Sequence, residues 1–389
     1  MISGHWSPGL RNLQHVFYGP GCVEKHLLGI LKTSSSKVFI VTGTSLATRT
    51  PLVQQLEQLL GDHHAGTFSE VRQHGPLEDV DKAVAAILSQ GEGVDTILSL
   101  GGGSPIDTAK VISLRVSETR GKFLTHLTIP TTLSAAECTS GGGYTRSDGV
   151  KVGFRKPEMG VSVIFYDSYY ARYTPKDLWL STAMRAMDHA VECMYHPHST
   201  EVPWKALSQW VVRELFECLP LARDSHPNDE NVNTRLMLAA YASSGLKGDN
   251  LPGGMGLSHS LGHALGSPYG IPHGITSCMT LGKVVKLKAF ESPVNAGQIA
   301  RLSESTGGSR TGDNFSDAIA VGDRILELVQ SLNLNIGTLS DRGVSKDEVP
   351  IIMQRALGGI TKGPLYDQLH FYKLRAVQRS FVFSADMHC

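Results

Sequence analysis

Of 16 histidines, three fall in one stretch, GLSHSLGHALGSPYGIPHGITS, as His259, His263 and His273. His259 and His263 are four residues apart in a segment of helical period and share a face, while Pro272-His273-Gly274 puts a third imidazole at the start of the next element. Neutral imidazoles converging on a cleft suit a divalent ion such as Zn(II) or Fe(II), or proton transfer near neutral pH. A second chemical feature is TILSLGGGSPIDTAKVI at 96–112: an apolar strand, then Gly101-Gly102-Gly103-Ser104, then Pro105 and a helix. Glycines allow a pyrophosphate close to the backbone, and a helix start offers free N–H groups and partial positive charge. Pro105 fits the first turn, where an N–H would be unpaired, and Asp107, read as also in that turn, favours the helix dipole. Tyr144 and Tyr269 are candidates to line the cleft, with packing the favoured role for Tyr269.

These residues need rigid elements to hold them. Apolar runs at 38–41, 96–100, 126–129 and 162–166, separated by helical-period segments at 47–60 and 77–88, give a βαβ rhythm and hence parallel strands. Beyond about Ser168 the pattern turns helical, over 176–196, 203–222, 231–246, 256–267, 287–307, 313–333 and 346–358. The expected fold is α/β plus all-α: an N-terminal Rossmann-like parallel-sheet domain (1–168) and a C-terminal helical domain (169–389), with the site in the cleft between them.

Composition narrows the function. Lys plus Arg (36) balance Asp plus Glu (36), so no net positive field gathers nucleic acid or anionic lipid. No apolar run reaches the roughly 18 residues needed to cross a bilayer. Six cysteines without a C-x-x-C pair read as free thiols, and the setting read from them is cytoplasmic. The expected partner is a small-molecule substrate, with no nucleic acid or membrane, and the chain is compatible with a homodimer.

G-G-G-S-P-I-D-T-A-K at 101–110, followed by Ile129-Pro130-Thr131-Thr132, resembles the signature of the iron-containing (group III) alcohol dehydrogenases, a superfamily of dehydroquinate synthase-like fold. The resemblance implies NADP or NAD bound with Gly101, Gly102, Gly103 and Ser104 at the pyrophosphate, Asp107, Thr131 and Thr132 beside them, and Lys151 near the ribose on the nicotinamide side. NAD-selective relatives carry an acidic residue at the end of the first strand. Gly43 stands there in this chain, so nothing repels a 2′-phosphate and NADP is admissible.

The resemblance also places His189, in TAMRAMDHAVEC, on the family's helix histidine, and His259 and His273 on its other metal-ligand histidines. Four residues before His189, where metal-dependent relatives carry an aspartate, this chain has Arg185. A fixed positive charge about 4 Å from a divalent ion costs on the order of 8 kcal/mol at an effective dielectric near 20. Asp188 is an imperfect substitute ligand, about 100° around the helix from His189. The shortened Thr131–Glu137 loop and Val150-Lys151-Val152-Gly153 resemble the maleylacetate reductase branch, which implies metal independence, whereas Pro272-His273-Gly274 follows the metal-binding branch. The expectation is therefore an NAD(P)-dependent oxidoreductase moving hydride between nicotinamide and a ketone, aldehyde or keto/enol acid, with bound Fe or Zn disfavoured. Arg185, His189, His259, His263 and His273 form its catalytic set, Arg185 as electrostatic clamp and His259 or His263 as proton donor. The alternatives are a metal-dependent alcohol dehydrogenase and a non-redox lyase or isomerase on the same scaffold.

Overall fold

The computed structural model describes residues 5–73, 75–146, 151–249 and 254–359. Strands β1 (His15–Tyr18), β2 (Lys37–Thr42), β3 (His64–Phe68), β4 (Val94–Gly101), β5 (Thr125–Pro130) and β8 (Val163–Tyr166) form one sheet in the order β1-β8-β5-β4-β2-β3, every pair parallel. β6 (Gly141–Thr145) and β7 (Lys151–Arg155) form a separate antiparallel pair. Helices α1 (Cys22–Ile30), α2 (Thr44–Arg49), α3 (Leu52–Leu60), α4 (Leu77–Leu88) and α5 (Gly103–Arg120) connect the strands.

Alternation along each strand explains why helices cover both faces. In β2, Val38 and Ile40 pack with Leu98 and Leu100 of β4 against Val23 and Leu27 of α1 and Leu52 and Leu56 of α3. Phe39 and Val41 point the other way, with Ile97, onto Val80 and Ile87 of α4 and Val111 and Ile112 of α5. A strand buried on both faces reads as a continuous apolar run, as 38–41 does.

After β8 the described chain is helical: α6 (Ser168–Ala171), α7 (Lys176–Tyr195), α8 (Ala206–Ser225), α9 (Glu230–Ser244), α10 (Leu257–Tyr269), α11 (His273–Glu291), α12 (Pro293–Ala300), α13 (Asn314–Ser331) and α14 (Val349–Ala356). α7 is the axis of this part. Its residues from Trp179 to Met194 are all buried, against α8, α9, α11 and α12. A second apolar cluster joins α10, α11 and α14 through Leu261, Leu265, Ile275, Met279 and Ile352.

Prolines correct two of the expected helices. The segment at 47–60 is two helices, because Thr50, ahead of Pro51, is extended (φ −136°, ψ 157°). Likewise Ser292, ahead of Pro293, is extended (φ −161°, ψ 151°) and ends α11, so the segment at 287–307 joins the tail of one helix to another. Asp107 is corrected too. α5 starts at Gly103, which puts Asp107 in its second turn, and the carboxylate pairs with buried Lys110 at 3.2 Å.

Candidate active site

The glycine turn lies at the C-terminal end of β4, inside the sheet. Gly101 has φ +141°, a conformation side chains avoid, and Gly102 precedes the first residue of α5. That helix start has neither a side-chain cap nor an acidic residue in its first turn, so its positive end is left for a ligand. Thr131 N–H donates to Gly101 O at 2.9 Å, which brings the loop after β5 alongside. A Cβ at Gly102 would lie 2.9 Å from Thr132 Cγ2, whereas one at Gly103 would make an ordinary 3.5 Å contact with Ser134 Oγ. This bare backbone cradle at a helix start fits a pyrophosphate. Gly43, ahead of α2, abuts Val71 O, 3.3 Å from where its Cβ would be. Lys151 opens β7, and its side chain lies outside the described atoms.

The same loop is tied to the helical part. Leu133 N–H donates to Thr182 Oγ1 (3.1 Å), and Thr174 Oγ1 donates to Thr131 O (2.5 Å). Thr182 is one turn before Arg185 on α7, so the turn beside the glycines is keyed to the helix carrying Arg185 and His189. α11 begins against α7 as well. A Cβ on Gly274 would stand 2.4 Å from Ser181 O, and that closeness sets His273 beside α7.

Four of the expected histidines form a chain of rings, with centroid separations of 5.3 Å (His189–His259), 4.9 Å (His259–His263) and 5.2 Å (His263–His273). His189 is buried, His259 and His273 are half-buried, and His263 is exposed. His189 Nδ1 lies 3.4 Å from Ser243 Oγ, which gives its own proton to Ala240 O. Arg185 is in the same group, its Nη2 3.0 Å from His259 Nε2 and its Nη1 3.4 Å from Asp188 Oδ2. Asp188 Oδ2 also accepts from Ser277 Oγ at 2.9 Å.

Burial first, then Arg185, pushes the His189 and His259 imidazoles well below their ordinary range, so both are neutral. Burial also pulls the Arg185 guanidinium down and the Asp188 carboxyl up, and each partner opposes the other's shift. For a divalent ion the arrangement is a poor fit. The His259 Nε2 lone pair already accepts from a guanidinium, and among the described residues no three His, Cys, Asp or Glu side chains are grouped to hold a metal.

Some contributors to the site carry no motif. Glu192 accepts from Ser258 N (2.7 Å), His259 N (3.1 Å) and Tyr195 Oη (3.2 Å), and so caps the start of α10. Gly256, Gly262 and Gly266 leave room for the Glu192 carboxylate, for Arg185 and for the His273 ring, which Cβ atoms there would meet at 2.5, 3.1 and 2.7 Å. The only signal for Gly262 and Gly266 is their presence in helical sequence, where each costs about 1 kcal/mol relative to alanine, and Gly256 stands just ahead of the helix as its N-cap. Tyr269 turns away from the histidines to donate to Glu348 Oε2, and Tyr144 packs on Phe154. Replacing Glu192 with Ala should strip two backbone N–H groups of their acceptor and destabilise the protein by about 1–3 kcal/mol. A melting temperature equal to wild type would deny Glu192 that capping role.

Comparison with known proteins identifies the family. Residues 14–168 match the family described as iron-containing alcohol dehydrogenase, and residues 179–376 match the C-terminal part of the Fe-containing alcohol dehydrogenase family. The chain is 29% identical over 318 residues to maleylacetate reductase of Rhizobium sp. (strain MTP-10005), covering 79% of this chain and 86% of that one. It is 27% identical over 285 residues to maleylacetate reductase 2 of Cupriavidus pinatubonensis, covering 73% and 75%. The fold of Agrobacterium tumefaciens maleylacetate reductase superposes with a TM-score of 0.79 at 23% identity, covering 97% of this chain and 98% of that one. With residues 14–168 and 179–376 both matched, this chain belongs to the iron-containing alcohol dehydrogenase family, on its maleylacetate reductase-like side, as an NAD(P)-dependent enzyme of the alcohol dehydrogenase and carbonyl reductase kind.

Proposed function

We propose that this protein transfers hydride between NADP(H) or NAD(H) and the carbonyl or alcohol carbon of a small ketone, aldehyde or keto/enol acid, and does so without a divalent metal. The observation that carries the proposal is Arg185 Nη2 at 3.0 Å from His259 Nε2, a guanidinium on the lone pair that a metal would need. The cofactor is held by Gly101, Gly102, Gly103 and Ser104 at its pyrophosphate, with Thr131 and Thr132 beside them, Lys151 toward the ribose on the nicotinamide side and Gly43 toward the adenine ribose. Asp107 acts indirectly, by holding Lys110. When bound there, the nicotinamide supplies the hydride.

Arg185 gives the positive potential that stabilises negative charge growing on the carbonyl oxygen. His263, the exposed member of the ring chain, exchanges the alcohol proton with solvent, a more suitable donor than His259, whose imidazole is neutral and whose Nε2 is occupied. His189 and His273 line the site. The protein works in a reducing cytoplasm, a reading supported by the five cysteines among the described residues, which are buried free thiols. Among the described residues, no helix is long and apolar enough to cross a membrane.

The test is NADPH and NADH oxidation against a panel of ketones, aldehydes and 2- and 3-oxo acids, with and without a chelator. One NADPH should be consumed per product, NADPH should bind at least as tightly as NADH, and the chelator should leave the rate unchanged. Turnover without net NAD(P)H consumption would point to elimination or isomerisation instead. A strong preference for NADH would overturn the reading of Gly43.

A further inference from the structure

A buried guanidinium needs a counter-charge, and Asp188 is placed to be it. The Arg185 side chain is 8% exposed and that of Asp188 is fully buried, three residues apart on α7. The other nearby carboxyl, Glu192, is pushed up to about 8 by burial and then by Asp188, and is committed to two backbone N–H groups of α10 and to Tyr195. Ser277 on α11 fixes Asp188 from one side, and Gly262 on α10 leaves room for Arg185 on the other. A guanidinium has donors only, so His259 Nε2 must accept from it and the His259 proton must sit on Nδ1. That Nδ1 is buried and meets no partner among the described residues.

We propose that Asp188 is a positioning residue which, acting through Arg185, holds His259 in the single tautomer protonated at Nδ1. The inference rests on the metal-free reading of the site. Without the carboxylate an unbalanced guanidinium would be left in a buried position, an expensive arrangement that it relieves by turning toward water. Turning breaks its bond to His259 Nε2 and frees the imidazole to exchange tautomers.

The experiment is two-bond ¹H–¹⁵N correlation spectroscopy on full-length protein labelled at histidine, with the His259 signals assigned by their loss in His259→Gln. Wild type should show His259 neutral and protonated at Nδ1 alone. Asp188→Asn, nearly isosteric and still able to accept from Ser277, should turn this into a mixture of tautomers or into the Nε2-protonated form, with NADPH binding within about threefold of wild type as evidence of an intact fold. Should Asp188→Asn not fold, Ser277→Ala keeps the charge but loosens the carboxylate, and a partial shift in the same direction is expected. An unchanged His259 pattern in a folded Asp188→Asn protein, or in Ser277→Ala where the first variant does not fold, overturns the proposal and leaves the metal-free reading standing. Wild-type His259 protonated at Nε2 excludes the bond to Arg185 and overturns the proposal directly. A wild-type protein holding one equivalent of metal, whose removal shifts the His259 signals, overturns both.

Discussion

Gly102→Val should abolish NADPH binding, weakening it at least about 100-fold, which corresponds to about 2.7 kcal/mol. The position is at the exact meeting of β4 and α5, where the helix presents free N–H groups to an anion. The backbone there (φ −85°, ψ −158°) is open to any residue, so the penalty comes from contact and not from strain. A Cβ alone would meet Thr132 Cγ2 at 2.9 Å and Oγ1 at 3.1 Å, and valine adds two methyl groups in the space a phosphate needs. Circular dichroism should show the fold retained, because the Thr132 side chain can rotate aside. Gly103→Ala is the graded control, since its Cβ makes only a 3.5 Å contact and should cost much less affinity. Fluorescence titration with NADPH reads both variants. Wild-type affinity in Gly102→Val would remove the cofactor from this turn.

The features legible in the sequence were those with a strong local signature. Val38–Val41 and Thr96–Leu100 are buried on both sides and therefore read as apolar runs, and the glycine turn follows directly from the second of them. β3 and β6 carry no such signature: His64-Ala-Gly-Thr-Phe has no apolar period, and Gly141-Gly-Gly reads as a turn, which leaves the short alternation of β7 at Val152 and Phe154 without a legible partner. Those strands exist because neighbours supply their hydrogen bonds, a tertiary effect that local propensity does not encode. His273 is legible as the start of an element, but the helical course of α11 up to residue 287 is not, since buried Thr276, Ser277 and Thr280 blur its apolar period.

The site divides along a similar line. His259, His263 and His273 are near one another in sequence, and their convergence could be argued from spacing, whereas the bond from Arg185 to His259 joins residues 74 apart. That Arg185 brings a positive charge to this position could be read from the sequence. What balances it could not: in the sequence Asp188 offers itself only as an alternative ligand, and its pairing with Arg185 emerges when α11 brings Ser277 against it.

Arg185→Asp should convert the site into one that captures a divalent ion. In the wild type the guanidinium lies 3.0 Å from His259 Nε2 and occupies both the charge and the lone pair that a metal would require. Aspartate at this position reverses the local charge by two units, frees the lone pair and forms an Asp-x-x-x-His pair with His189 on one face of α7. It also leaves two carboxylates, at 185 and 188, in a buried environment where the metal-free form repels itself. The variant should therefore melt below wild type when metal-free and recover on addition of Zn(II) or Fe(II), with affinity raised at least about 100-fold over wild type, or about 2.7 kcal/mol. The raw Coulomb change is several times larger, and desolvation and rearrangement of the histidines consume the difference. Activity on the native substrate should fall even in the reloaded variant, since no guanidinium remains to stabilise the developing alkoxide. Metal content by elemental analysis, melting temperature with and without Zn(II), and the Co(II) absorption spectrum measure these effects independently of turnover. If Arg185→Asp gains no affinity for metal, or if purified wild type already holds a full equivalent whose removal ends turnover, then Arg185 does not stand in the metal's place, and the chain works as a metal-dependent member of its family.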